Sequence, residues 1–219
     1  MLRAQALKKS YGALQVLKGV DIQIGEGEVV AIVGASGAGK STLLHLLSTL
    51  DAPDEGRVWM EDVDIYKKSA AELAAFRNKH MGFVFQFHNL LPEFSALENV
   101  MIPGLIARMP EGGVKKKAAE LLDRLGLSAR MHHKPSELSG GEQQRTAVAR
   151  ALANSPRLVF ADEPSGNLDS KNAAELHQLF LNLRQEFKHT FVIVTHNQEF
   201  AAMADRRLEI RDGVIVREA

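Results

Sequence analysis

The pattern of apolar and polar positions divides the chain into two kinds of strand and one long helical stretch. Four short runs are almost continuously apolar: Val29-Val30-Ala31-Ile32-Val33, Met81-Gly82-Phe83-Val84-Phe85, Leu158-Val159-Phe160-Ala161 and Thr190-Phe191-Val192-Ile193-Val194. Runs of this length, bounded by turn residues, read as the buried strands of an α/β sheet. The segments Leu2 to Leu7 and Val16 to Ile24 instead alternate apolar with polar residues, as half-buried antiparallel strands do. Arg57 to Met60 reads as a further strand. Leu208 to Val216 closes the chain as a hairpin, with Asp212-Gly213 suited to a two-residue turn. Helical periodicity predicts helices over Ala70 to Arg77, Ala96 to Ala107, Val114 to Leu125, Gly140 to Ala153 and Ala173 to Phe187. Pro110-Glu111-Gly112-Gly113 reads as a connector between two of them. One domain over residues 1–219 is expected, with a core from about 1–86 and 154–219 and a helical insert over about 87–153.

Composition narrows this picture by exclusion. At 219 residues and 45% hydrophobic content, the chain can fill one large core and is too short for two comfortable ones. Its 27 lysines and arginines balance 27 aspartates and glutamates, so the basic footprint of a nucleic-acid or acidic-membrane binder is missing, and no nucleic-acid partner is expected. There is no cysteine, which removes disulfides and thiolate metal sites. No apolar run approaches the roughly 20 residues of a membrane span, and the first nine residues lack a signal-peptide core. A soluble, cytoplasmic chain is the expectation. Lys115-Lys116-Lys117 reads as a solvated helix face, and His132-His133 as a surface pair without matching metal ligands.

The candidate chemistry sits at the ends of the apolar runs. Gly34-Ala35-Ser36-Gly37-Ala38-Gly39-Lys40-Ser41 fits the phosphate-cradle pattern G-x-x-x-x-G-K-[ST] between a strand and the helix beginning at Thr42. Its glycines let backbone N–H groups approach phosphate oxygens, and the helix adds its positive end. Lys40 would neutralise the terminal phosphates of a nucleotide, and the Ser41 hydroxyl would take a position on Mg²⁺. Gln86 ends the second apolar run and is placed to reach the metal or an attacking water, or to be satisfied by backbone. Asp162 and Glu163 end the third. On an alternating strand they would point apart, Asp162 toward Mg²⁺ through water and Glu163 toward the γ-phosphate as base or orienter. His196 follows the fourth. Tyr11, between the first two strands, is a loop aromatic that either stacks on a nucleotide base or packs on the sheet. Ser139 and Glu142 form an S-x-x-E capping box, and the adjacent Gly140-Gly141 suggests that something, naturally an anion, approaches the backbone there.

These motifs, in this order across residues 11 to 196, resemble the ATPase subunit of an ABC transporter. The resemblance implies an α/β fold: a P-loop NTPase (RecA-like) core with an N-terminal antiparallel β-subdomain and an α-helical insert. It implies ATP hydrolysis with Mg²⁺. Tyr11 would stack on adenine; Gly34, Ala35, Ser36, Gly37, Ala38, Gly39, Lys40, Ser41 and Thr42 would hold the phosphates; Ser41, Gln86 and Asp162 would serve the metal. Glu163 would be the catalytic carboxylate, His196 the γ-phosphate contact, and Gln86 the link to a membrane partner. Ser139, Gly140 and Gly141 would bind the nucleotide of a second copy, with Asp169 communicating across that homodimer.

Within the family, the stretches 85–100, 161–169 and 208–213 are most similar to the lipoprotein-releasing subgroup. The macrolide and peptide exporter ATPases of the MacB type and the division ATPase FtsE share the Gly166-Asn167-Leu168-Asp169 ending. Ser165 stands where the subgroup usually carries threonine, keeping the hydroxyl. The resemblance implies integral membrane subunits of the LolC/LolE type, a lipoprotein cargo handled by them, and a peripheral position on the cytoplasmic face of the inner membrane. Leu90, Leu91 and Phe94 are candidates for the docking groove.

Overall fold

The apolar runs pair side by side and in parallel. In the computed structural model, which describes residues 1–218, strands β3 (Val29–Val33), β6 (Met81–Phe85), β7 (Leu158–Asp162) and β8 (Thr190–Val194) join β9 (Arg206–Arg211) and β10 (Val214–Glu218) in a six-stranded sheet of order β10-β9-β3-β8-β7-β6. Only the β9–β10 pairing is antiparallel. Phe85 lies opposite Asp162, and Asp162 opposite Val194, which also faces Ile32. The carboxyl ends of β3, β6, β7 and β8 therefore share one edge, where open α/β sheets present their ligand sites.

A second sheet is antiparallel, of order β2-β1-β4-β5, from β1 (Leu2–Tyr11), β2 (Leu14–Ile24), β4 (Glu55–Met60) and the two-residue β5 (Val63–Asp64). Alternation along the parallel strands sorts the core into two layers. Val30, Ile32, Leu158, Phe160, Val192 and Val194 pack toward helix α1 (Lys40–Leu47) and the antiparallel sheet. Val29, Val159, Ala161, Phe191 and Ile193 pack toward α3 (Ala96–Ile106), α4 (Glu111–Arg124), α5 (Gly140–Leu152) and α6 (Ser170–Phe187). Phe160 and Phe191 are fully buried, one in each layer, and each side chain of this size stabilises the fold by about 1.5–3 kcal/mol. Helix α2 (Ala70–His80) leads straight into β6. Ser69, Ser95 and Ser139 each open a helix with a complete capping box, the last as the S-x-x-E spacing predicts.

Several expectations shift. The first strand runs on to Tyr11, so that residue ends a strand rather than lying on a loop. Glu111, Gly112 and Gly113 form the first turn of α4 after Pro110, not a connector; the N–H groups of Gly113 and Val114 donate to the Pro110 carbonyl, which outweighs the poor helix propensity of the glycines. The short helix α7 (Gln198–Met203), capped by Asn197, has too few residues to show a period. Lys115 and Lys116 are exposed as expected, but Lys117 is half-buried, donates to the Ser155 hydroxyl at 2.8 Å, and has its pKa lowered by burial.

Candidate functional site: a phosphate cradle at the sheet edge

The loop between β3 and α1 is shaped by positions only glycine can fill. Gly34 has φ 154°, and a Cβ there would lie 2.2 Å from the Ile210 carbonyl oxygen; Gly39, the N-cap of α1, has φ 103°, and a Cβ would meet Leu17 at 2.9 Å. Between them Ala35, Ser36 and Gly37 are exposed, while Ala38 is buried. Lys40 folds back over the loop, its Nζ donating to the carbonyls of Gly34 at 3.0 Å and Ala35 at 2.9 Å. The ammonium is thus held over the hollow that a phosphate chain would fill. Thr42, half-buried on α1, is close enough to the Tyr11 hydroxyl to affect its ionisation.

Across the hollow, the Ser41 hydroxyl donates to Asp162 Oδ1 at 3.0 Å. Burial raises the Asp162 pKa, partly opposed by that hydrogen bond and by His45, whose Nε2 lies 3.9 Å from Oδ2. A divalent cation would favour the ionised form. One hydroxyl and one carboxylate, already adjacent, fit Mg²⁺, which usually takes one or two protein oxygens and completes its shell with phosphate and water. Among the described residues no cluster of three or more His, Cys, Asp and Glu could hold a metal alone.

Glu163 does not continue the strand. Its φ is 46°, left-handed, and its N–H donates to the Val194 carbonyl at 2.9 Å. This turn, and not strand alternation, parts the two carboxylates. Glu163 Oε2 lies 2.8 Å from His196 Nδ1 and accepts from the His196 N–H at 3.2 Å, so the two residues are brought together at the ends of β7 and β8. Gln86 is drawn elsewhere. Its Nε2 donates to Asn167 Oδ1 at 3.1 Å while Asn167 Nδ2 donates to the Gln86 carbonyl at 3.0 Å. In this state its amide is engaged by the loop after Glu163, and a Cβ on Gly166 would press on it at 2.8 Å.

Tyr11 is 50% exposed at the end of β1. Its hydroxyl donates to Asp51 Oδ2 at 2.7 Å, and Lys9 Nζ lies 5.2 Å from the ring centroid and bonds Asp51 Oδ1. The Asp51 hydrogen bond raises the Tyr11 pKa, keeping the phenol neutral.

Ser139, Gly140 and Gly141 open α5, and their contacts run to Glu142, Leu168 and Asn172. Asp169 caps α6, its carboxylate accepting from the Asn172 backbone at 2.9 Å and side chain at 2.6 Å. A Cβ on Gly141 would lie 2.5 Å from Asn172 Oδ1, so the close visitor that Gly141 accommodates within the chain is Asn172, whereas Gly140 has open space beyond Leu168 at 3.8 Å. Sequence reasoning missed Asn167, Asn172, Asp51 and Gln144; the first lies inside the polar turn 165–169, and the others carry no local pattern.

The ABC transporter family profile matches residues 17–166. The chain belongs to the ABC transporter family. An ATPase follows from that membership. The chain is 56% identical over 216 residues to the lipoprotein-releasing system ATP-binding protein LolD of Bacteroides fragilis, covering 99% of this chain and 100% of that one. It is 50% identical over 220 residues to LolD of Geobacter metallireducens, covering 99% and 98%. Among solved structures, an ATP-binding cassette in a dimeric post-hydrolysis state with ADP and Pi superposes with a TM-score of 0.92 at 39% identity, covering 100% of this chain and 98% of that one.

Proposed function

We propose that this ABC ATPase is the ATP-hydrolysing subunit of a lipoprotein-releasing transporter, acting as a head-to-tail homodimer on the cytoplasmic face of the inner membrane. The observation that carries the reading is the full-length similarity to LolD proteins at half or more identity, around a site whose phosphate cradle and polar strand ends share one edge. The dimeric cassette with ADP and Pi supports the two-fold arrangement, in which one copy's Ser139, Gly140 and Gly141 complete the other's cradle.

In each site Lys40 leaves the Gly34 and Ala35 carbonyls for the β- and γ-phosphates, and Tyr11 presents its half-exposed ring to the adenine. Ser41 and Asp162 would hold Mg²⁺, which would supply charge neutralisation on the phosphate oxygens. Glu163 orients and deprotonates the attacking water, with His196 beside it at the γ-phosphate. Gln86 couples the site to membrane subunits of the LolC/LolE type; an apolar groove of about 450 Å³, lined by Phe83, Phe85, Pro103, Ile106 and Arg150, is the surface offered to them. Leu90, Leu91 and Phe94 lie outside its lining, although Leu91 and Phe94 are exposed. No helix of the described residues is long and apolar enough to cross a membrane, so cargo is left to those partners. Drawing one ~16-carbon acyl chain into water would cost on the order of 13 kcal/mol, which makes a shielded path the reasonable one.

The test is reconstitution with the membrane subunits that co-purify with the Glu163→Gln variant in ATP. Release of an acylated lipoprotein from the vesicles on ATP addition is expected. Release of an unacylated peptide or macrolide instead, or binding of a cell-wall hydrolase activator without any release, would replace the cargo assignment with an exporter or a division-signalling role.

A further inference from the structure

Helix α5 does more than present Ser139 and Gly140 at its start. Gln144, on its second turn, is fully buried, and its Nε2 donates to the Pro164 carbonyl at 2.6 Å and, more weakly, to the Phe85 carbonyl at 3.5 Å. Pro164 directly follows Glu163, and Phe85 directly precedes Gln86. One side-chain amide therefore ties the signature helix to the backbone beside both polar residues at the sheet edge. Its orientation is fixed by those carbonyls, because a turned amide would set oxygen against oxygen. In that orientation Oε1 is buried with no hydrogen-bond partner among the described residues. An unpaired buried acceptor is destabilising, and methionine would fill a similar volume without one, so the amide's use lies in what it positions.

A second contact makes the link two-pointed. Gly141, one turn before Gln144, packs against Asn172, which is bonded to Asp169 at the far end of the loop that Glu163 begins. That loop in turn holds Gln86 through Asn167. The first two turns of α5 and the segment 163–172 are thus joined at both ends.

We propose that Gln144 is a positioning residue that couples the two ATP sites of the dimer. The inference rests on the composite-site reading above: the start of α5 faces the partner's nucleotide, while Glu163 and Gln86 serve the chain's own. Seating of the partner's nucleotide on α5 is carried through Gln144 to the Pro164 and Phe85 carbonyls, and so to the carboxylate and amide of the other site. This gives each site a physical means of sensing whether its twin is filled, with two distinct sites and one shared element.

The test compares Gln144→Met with the unsubstituted chain, and Gln144→Met/Glu163→Gln with Glu163→Gln. In ATP both Glu163→Gln chains are expected to dimerise alike by size-exclusion, and KM for ATP to stay within about twofold. The Hill coefficient of hydrolysis is expected to fall from about 2 toward 1, and kcat on the order of tenfold. A folded, dimerising Gln144→Met chain that keeps both its Hill coefficient and its kcat overturns the role of Gln144 alone. A Glu163→Gln chain that stays monomeric in ATP overturns the composite site, and this inference with it. Where Gln144→Met does not fold, Gln144→Glu decides: its protonated carboxyl can still donate to Pro164, so its turnover relative to the unsubstituted chain should rise from pH 8 to pH 6. A flat ratio overturns the proposal.

Discussion

Glu163 shows how much one backbone angle decides. Its left-handed φ of 46° turns the carboxylate off the strand and onto His196, 2.8 Å away, while Asp162 stays with Ser41. Replacing Glu163 with glutamine keeps the shape and removes the carboxylate proposed as the base. ATP binding should persist and hydrolysis fall by roughly 10²- to 10⁴-fold, read by nucleotide binding alongside phosphate release. Tyr11 offers a graded companion. Tyr11→Ala should weaken ATP binding by about 5- to 150-fold, the usual worth of base–aromatic stacking, whereas Tyr11→Phe keeps the ring and should lose far less. Equal losses would assign the effect to the Asp51 hydrogen bond instead. The residue types of the cradle, Asp162, Glu163 and His196 were legible in the sequence because each stands at or just after the end of an apolar run. The separation of the carboxylates was legible too, but for a wrong reason, since strand alternation cannot foresee a left-handed residue. The Gln86–Asn167 pair was not legible at all, because 81 residues separate its members.

At the scale of elements, α5 carries more than its motif announces. The Ser139–Glu142 box was readable from spacing, and Ser139→Ala should lower stability by about 1 kcal/mol in a urea titration. Gly141 could be recognised as unusual, yet its neighbour could not be named, since Asn172 arrives from α6. Gly141→Ala brings a Cβ to 2.5 Å from Asn172 Oδ1, so the Asn172 side chain must turn away and loosen its bond to Asp169, and the melting temperature should fall. Adding Asn172→Ala should restore the melting temperature. Turnover that stays low in the refolded double variant would show that Gly141 also faces the partner's nucleotide; no recovery of melting would remove Asn172 as the reason for the glycine.

Across the whole molecule, burial of titratable groups sets a pH limit. His80, His177 and His189 have pKa values lowered chiefly by burial, His177 also stacking on Phe200 with centroids 4.1 Å apart. Because the folded values lie below the unfolded ~6.5, the unfolded chain binds protons first as pH falls. Their contribution is fully present above about 6.5 and is lost as pH drops from there through the folded values. Urea midpoints should therefore fall between pH 7.5 and pH 5.5, and a flat profile would contradict the burial. The layered fold was legible because continuous apolar runs and alternating ones distinguish the two sheets. Strand order was not, since it depends on which distant segments meet.

That order has a consequence for how the protein comes into being. β3, which leads into the cradle, has β8 and β9 as its neighbours, with Val29 opposite Phe191 and Val30 opposite Arg206. A ribosome makes the cradle early and its supports nearly last. At about 5–20 residues per second, the nascent chain spends on the order of ten seconds with Lys40 and the glycine loop synthesised but unsupported. ATP binding is accordingly an act of the finished chain: a translation product stalled before Thr190 should not retain nucleotide, and release of the stall should restore it.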